Sequence, residues 1–109
     1  METLKALTLI LQRGKDLARE QAEQAARHLA DEAVPAIDKK DFLRALHSKG
    51  ESVDEVVGIA HVFRSLASNP KLEDFAHRAI DIVGTGGRGG SAYNVSTVTC
   101  FICAASGIP

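Results

Sequence analysis

The sequence has no tryptophan, one tyrosine and four phenylalanines, so it offers little with which to stack nucleic-acid bases. It has two cysteines, Cys100 and Cys103, too few for a disulfide-stapled secreted scaffold, and a reducing, cytoplasmic setting is expected. No run approaches the roughly eighteen apolar residues of a membrane span. The opening METLKALTLILQRGKDL is broken by Lys5, Thr8 and Gln12, and no small-residue cleavage site follows; it reads as a helix, not a signal peptide. Charge of one sign is lacking too. A net charge of -1 supplies no basic surface for a polyanion, so neither a nucleic-acid nor a membrane partner is expected. What is present is ordinary for one small soluble domain: 109 residues, 45% hydrophobic and 25% charged. A core can form, with a thin margin of stability.

The first 67 residues read as four helices. Leu4, Leu7, Ile10 and Leu11 give an apolar stripe for a helix from about Thr3 to Arg13, and Gly14 follows as the left-handed terminator. Ala22, Ala25, Ala26, Leu29 and Ala33 mark a second helix from about Arg19 to Glu32, whose small residues suit close helix approach and which Pro35 ends. A third is expected over about 39–49, with Asp38 as N-cap, Phe42, Leu43 and Leu46 on its apolar face and Gly50 at its end. Ser52 and Glu55 form a capping box, so a fourth helix starts near Val53. Val56, Val57, Ile59, Ala60, Phe63, Leu66 and Ala67 predict its broad buried face, and Asn69-Pro70 stops it. Residues 68–79 read as a polar connector.

The texture then changes. Ile80-Asp81-Ile82-Val83 is short and β-branched and predicts a buried strand. GTGGRGGSAYN follows, and VSTVTCFICAASG reads as a helix of about ten residues ending at Gly107, apolar on all sides and therefore buried. The expected fold is mostly α: a four-helix N-terminal bundle over 1–67, then the opening strand-loop-helix of an α/β domain over 80–109. A strand, a glycine-rich turn and a helix start make a phosphate site because glycines let the backbone approach a ligand and successive N–H groups converge on an anion. The next helix start adds unpaired N–H groups and a positive dipole end. Asn94, Ser96 and Thr97 fall in that first turn, where their side chains can reach phosphate oxygens or an accompanying magnesium ion. A glycine-rich loop by itself reads as well as a tight turn. The spacing is neither a dinucleotide fingerprint, since no acidic residue follows at the right distance, nor a Walker A loop, since no Gly-Lys-Ser/Thr follows.

Asp81-Ile82-Val83-Gly84-Thr85-Gly86-Gly87, six residues, then Asn94-Val95-Ser96-Thr97 resembles the signature of the anthranilate phosphoribosyltransferases. Asp41-Phe42-Leu43-Arg44-Ala45-Leu46 and Lys49-Gly50-Glu51-Ser52 are similar to that family's helical domain, so the resemblance runs along the whole chain. It implies transfer of phosphoribosyl from phosphoribosyl pyrophosphate to anthranilate, in tryptophan biosynthesis. It further implies that Gly84, Thr85, Gly86, Gly87 and Arg88 lie against the sugar pyrophosphate, with Gly84 also near anthranilate. Asn94, Val95, Ser96 and Thr97 would hold phosphate groups, Ser96 also meeting Mg2+, and the N-terminal helices would form a homodimer. Two positions depart from the pattern: Arg88 stands where the family usually has Asp, and Ala92 where it has a hydroxyl. The resemblance also implies a Lys-His-Gly-Asn segment, an Arg that grips anthranilate and an Asp-Glu pair for magnesium beyond this stretch. The chain alone is therefore expected to be inactive, with no catalytic residue of its own, and poorly soluble with its last helix uncovered.

Rival readings are weaker. A pyrimidine nucleoside phosphorylase would carry Lys and His where Ile82, Val83 and Gly84 stand. A nucleic-acid-binding relative lacks support in the charge. A helical dimerisation remnant, using the apolar face of the first helix, is compatible with the enzyme family. Cys100 and Cys103 share a helix face at i and i+3, yet zinc needs more ligands, so they read as small core residues. His28, His47, His61 and His77 show no metal spacing. Asp38 and Asp41 read as a favourable acidic first turn.

Overall fold

The computed structural model describes residues 1–84 and 94–109. Among these residues there are five helices: α1 (Leu4–Gln12), α2 (Arg19–Ala30), α3 (Ala36–Lys49), α4 (Val53–Leu66) and α5 (Val95–Ala105). The chain divides into two compact units, Met1–Ser68 and Asn69–Pro109. The expected helical bundle is present. The expected strand is not: no strand occurs among the described residues. A β-branched run becomes a strand only by exchanging backbone bonds with a neighbour. Within the described residues, Ile80 N–H instead meets the Pro109 carbonyl at 3.2 Å.

In the first unit α1 packs on α3 and α2 on α4. Leu4, Leu7 and Leu11 of α1, Leu17 from the following turn, Ala22 and Ala25 of α2, and Phe42, Ala45 and Leu46 of α3 make one core. The α1 stripe is consumed in this core, so it is not a free face for a dimer contact as expected. Chain punctuation is local chemistry. The Thr3 side chain accepts from Ala6 N–H. Gly14 takes φ 72°, and the N–H groups of Gly14 and Lys15 close back on Leu11 and Ile10.

Two boundaries differ from expectation. Helix α2 ends at Ala30, because Asp31 leaves helical geometry and its carboxylate accepts from Ala33 N–H at 2.9 Å. Helix α3 starts at Ala36, capped by Pro35 instead of Asp38. Pro35 needs no N–H partner of its own, and its carbonyl accepts from Asp38 and Lys39. Asp38 thus lies inside the first turn, 3.6 Å from the Lys5 ammonium.

The Ser52–Glu55 capping box forms: Ser52 Oγ accepts from Glu55 N–H at 3.3 Å, and Glu55 Oε2 accepts from Ser52 N–H at 2.7 Å. The buried face of α4 is not the expected one. Glu55, Gly58 and Val62 are buried, whereas Val56, Val57, Phe63 and Leu66 are 40–53% exposed. Gly58 decides this: a Cβ there would lie 2.8 Å from the Arg19 carbonyl oxygen and 3.0 Å from Ala22 Cβ. The small residues of α2 were expected to allow close approach, and α4 meets them with a glycine.

Glu55 is the buried polar anchor of this unit. Its Oε1 accepts from Leu17 N–H at 2.8 Å and its Oε2 from Lys49 Nζ at 2.9 Å. Lys49 Nζ also reaches Asp16 Oδ1 at 2.6 Å and the Gly50 carbonyl at 2.7 Å. Burial works against an ionised Glu55, but the N–H groups of Leu17 and Ser52, then Lys49, outweigh it and hold the carboxyl below its ordinary 4.5. Burial likewise disfavours a charged Lys49, but Asp16 and Glu55 outweigh it and raise the ammonium above its ordinary 10.5.

The two shifts define two pH windows. The depressed carboxyl contributes stability present above about pH 4.5 and lost as pH falls through the folded value. The raised ammonium contributes stability complete below about pH 10.5 and lost as pH rises through the folded value. The urea midpoint of the helical signal is expected to be flat from pH 6 to 9 and to drop on both sides. A midpoint unchanged between pH 6 and 3 would contradict the Glu55 assignment.

In the second unit, Asn69 Oδ1 accepts from Lys71 N–H at 2.8 Å, and turns follow through Ala79. Helix α5 ends as expected at Gly107, φ 82°, with Gly107 N–H on the Ala104 carbonyl and Ile108 N–H on that of Cys103. It was expected to be buried, but none of its residues is. Within this unit no described element covers it, and Phe101 is 72% exposed. Cys100 is exposed and Cys103 half-buried, both as free thiols, so neither is the core residue expected.

Candidate functional site

Five of the expected site residues lie in the described part of the second unit: Gly84, Asn94, Val95, Ser96 and Thr97. Thr85, Gly86, Gly87 and Arg88, like Ala92, lie outside the described residues. Asn94 is the N-cap of α5, and its Oδ1 accepts from Thr97 N–H at 3.0 Å. Val95, Ser96 and Thr97 are then the first three helical residues. Asparagine is well suited to this position, because its short side chain reaches the third N–H without helical backbone of its own.

That cap spends one of the N–H groups an anion could have used. The N–H groups of Val95 and Ser96, at the positive end of the helix dipole, are the remaining first-turn donors. Neither acidic nor basic residues occupy the first turn, so the dipole there is not offset by a carboxylate. The two ends of the glycine-rich segment meet at this point. A Cβ on Gly84 would sit 4.0 Å from Ser96 Oγ, at ordinary contact distance. The chain thus leaves Gly84 and returns at Asn94 so that a half-buried hydroxyl and a helix start face a glycine backbone. This arrangement supplies hydroxyl oxygen and N–H donors and no negative charge of its own.

The donor set suits magnesium in one way only. A neutral hydroxyl is a hard oxygen ligand but supplies no charge, so the cation would come with the phosphates it bridges. Among the described residues no group of three or more His, Cys, Asp or Glu could hold a metal by itself. His28 Nε2 lies 2.8 Å from the Glu2 carbonyl, a helix-packing contact, and His47, His61 and His77 are exposed. A groove of about 460 Å³ lined by α1 and α3 residues, including Arg44 and Ser48, includes no site residue. The cluster of buried Glu55 and Lys49 with exposed Asp16 was not foreseen as such; only its Ser52–Glu55 part had a sequence signal.

Residues 5–67 match the model of the glycosyl transferase family helical bundle domain. The chain belongs to this family. Its relatives include proteins named anthranilate phosphoribosyltransferase. That of Clostridium kluyveri is 39% identical over 95 residues, which cover 87% of this chain and 28% of that protein. That of Methylorubrum extorquens is 39% identical over 109 residues, covering all of this chain and 32% of that protein. That of Trichodesmium erythraeum is 35% identical over 103 residues, 88% of this chain and 29% of that protein. The chain spans less than a third of the length of these relatives.

Proposed function

We propose that this chain supplies the helical domain and the pyrophosphate-binding segment of an anthranilate phosphoribosyltransferase, with residues 1–67 as helical domain, 68–79 as connector and 80–109 as the start of the phosphoribosyl-binding domain. The observation that carries the reading is the meeting of Gly84 with Ser96 at the Asn94-capped start of α5. In this reading the backbone from Gly84 through Gly87 lies along the sugar pyrophosphate. The Ser96 and Thr97 hydroxyls and the free N–H groups of α5 hold its phosphates. Arg88 adds a guanidinium that can grip phosphate bidentately. Ser96 would help hold a magnesium ion that arrives with the pyrophosphate, and that ion would supply positive charge to offset the departing group. The protein orients the anomeric carbon toward the anthranilate amine and stabilises the leaving group. The homodimer belongs to the same proposal and would use a face other than the α1 stripe. Light scattering reads it directly, as a mass of twice 11.6 kDa.

Calorimetric titration of phosphoribosyl pyrophosphate with magnesium tests the site. Saturable, magnesium-dependent binding is expected, and Gly87→Asp should abolish it by placing a carboxylate in the anion path. Equal binding by Gly87→Asp, or no binding by a chain whose helical signal is intact, would overturn the assignment of this segment.

A further inference from the structure

Cys100 and Cys103 stand three residues apart in α5, both as free thiols, and both open to solvent to some degree. The helical repeat puts positions i and i+3 on one face, with Cβ atoms about 5–6 Å apart. That spacing is wider than the roughly 3.5–4.5 Å a disulfide needs between Cβ atoms, so the pair resists closing on itself while the helix is intact. It is suited to an atom held between the two sulfurs. Zinc is a poor candidate, since structural zinc takes about four ligands and no further His, Cys, Asp or Glu joins the pair among the described residues. A soft cation content with two thiolates is a better match, because thiolate ligands select such ions by softness and low coordination number.

We propose that Cys100 and Cys103 form a two-thiolate site for a soft, low-coordinate cation, represented by Cu(I). One Cu(I) displaces both thiol protons, giving two Cu–S bonds, two protons released and a bound group of net charge −1. No electron is transferred. The two thiols lie in the middle and last turns of the helix whose first turn carries the proposed anion-binding residues, and the proposal stands whether or not that segment binds phosphoribosyl pyrophosphate.

The test is an anaerobic titration of the chain with Cu(I) against a coloured Cu(I) chelator, with mass measured by light scattering. One Cu(I) per chain is expected. Cys100→Ser and Cys103→Ser should each weaken retention at least about a hundredfold, since each removes the chelate advantage of the second sulfur. Helix-face geometry is tested by moving one thiol. Cys103→Ala with Ala104→Cys keeps the pair on one face and should retain the ion. Cys103→Ala with Ile102→Cys sends the second thiol to the far side and should lose it. Retention by either single Ser variant, equal retention by the two moved-thiol variants, or saturation at one Cu(I) per two chains would overturn the proposal.

Discussion

Glu55→Ala is expected to unfold most of the helical unit. The side chain is fully buried and closes three contacts, with Leu17 N–H, Ser52 N–H and Lys49 Nζ, of which Lys49 alone keeps other partners, Asp16 and the Gly50 carbonyl. Removing one partner of a buried ion pair costs about 3–5 kcal/mol, because the other charge and any orphaned N–H stay behind. A 68-residue unit has a total stability of only roughly 3–10 kcal/mol. The melting temperature should therefore fall by roughly 12–40 °C. The geometry also ranks milder changes. Lys49→Met leaves Glu55 with two backbone donors and should cost least. Glu55→Gln keeps one acceptor but sets an amide against a donor and should fall between. Thermal unfolding by circular dichroism reads the order. If Lys49→Met is as damaging as Glu55→Ala, the ion pair, and not the backbone closure, is what holds α4 to the α1–α2 turn.

Most of the helical unit is legible in the sequence where the signal is local. Gly14, Gly50 and Gly107 end their helices with positive φ, and Ser52 with Glu55 opens α4 as its spacing requires. The same locality made the start of α5 readable, since Asn94 can reach Thr97 N–H whatever surrounds it. The α3 start was misplaced because Asp38 is a good cap in isolation, while Pro35 three residues earlier already satisfies the cap position through backbone geometry. The face of α4 was misread for a different reason. Periodicity counts apolar residues, and Val56, Val57, Phe63 and Leu66 outnumber the rest; burial follows the partner instead. Against the alanines of α2, the residue that fits is the one with no side chain. Glu55 goes inside with it, one turn earlier, because unpaired backbone N–H groups wait there. Neither fact is visible before the helices are placed. The strand reading failed similarly, since 80–83 has strand composition but no ladder partner among the described residues.

Gly58 carries the second large effect, and propensity and packing oppose each other there. Glycine inside a helix is about 1 kcal/mol worse than alanine, so on propensity alone Gly58→Ala should stabilise α4. The added Cβ would lie 2.8 Å from the Arg19 carbonyl oxygen, 3.0 Å from Ala22 Cβ and 3.4 Å from Glu23 N. Two of these atoms are backbone and cannot rotate away, so relief requires α2 and α4 to separate. Overpacking of this kind costs about 1–3 kcal/mol, and separation also opens the contact beside Val62. Packing wins, so Gly58→Ala is expected to destabilise the unit, and Gly58→Leu to abolish the cooperative transition. The exposed position two residues on isolates the opposing term: Ala60→Gly should cost about 1 kcal/mol through propensity alone. Ala22→Gly in the Gly58→Ala background removes the 3.0 Å contact but not the 2.8 Å one, so it should restore only part of the loss. A Gly58→Ala chain with a higher urea midpoint than the parent would mean that α2 and α4 do not approach this closely, and that the helices are held by the Glu55 anchor alone.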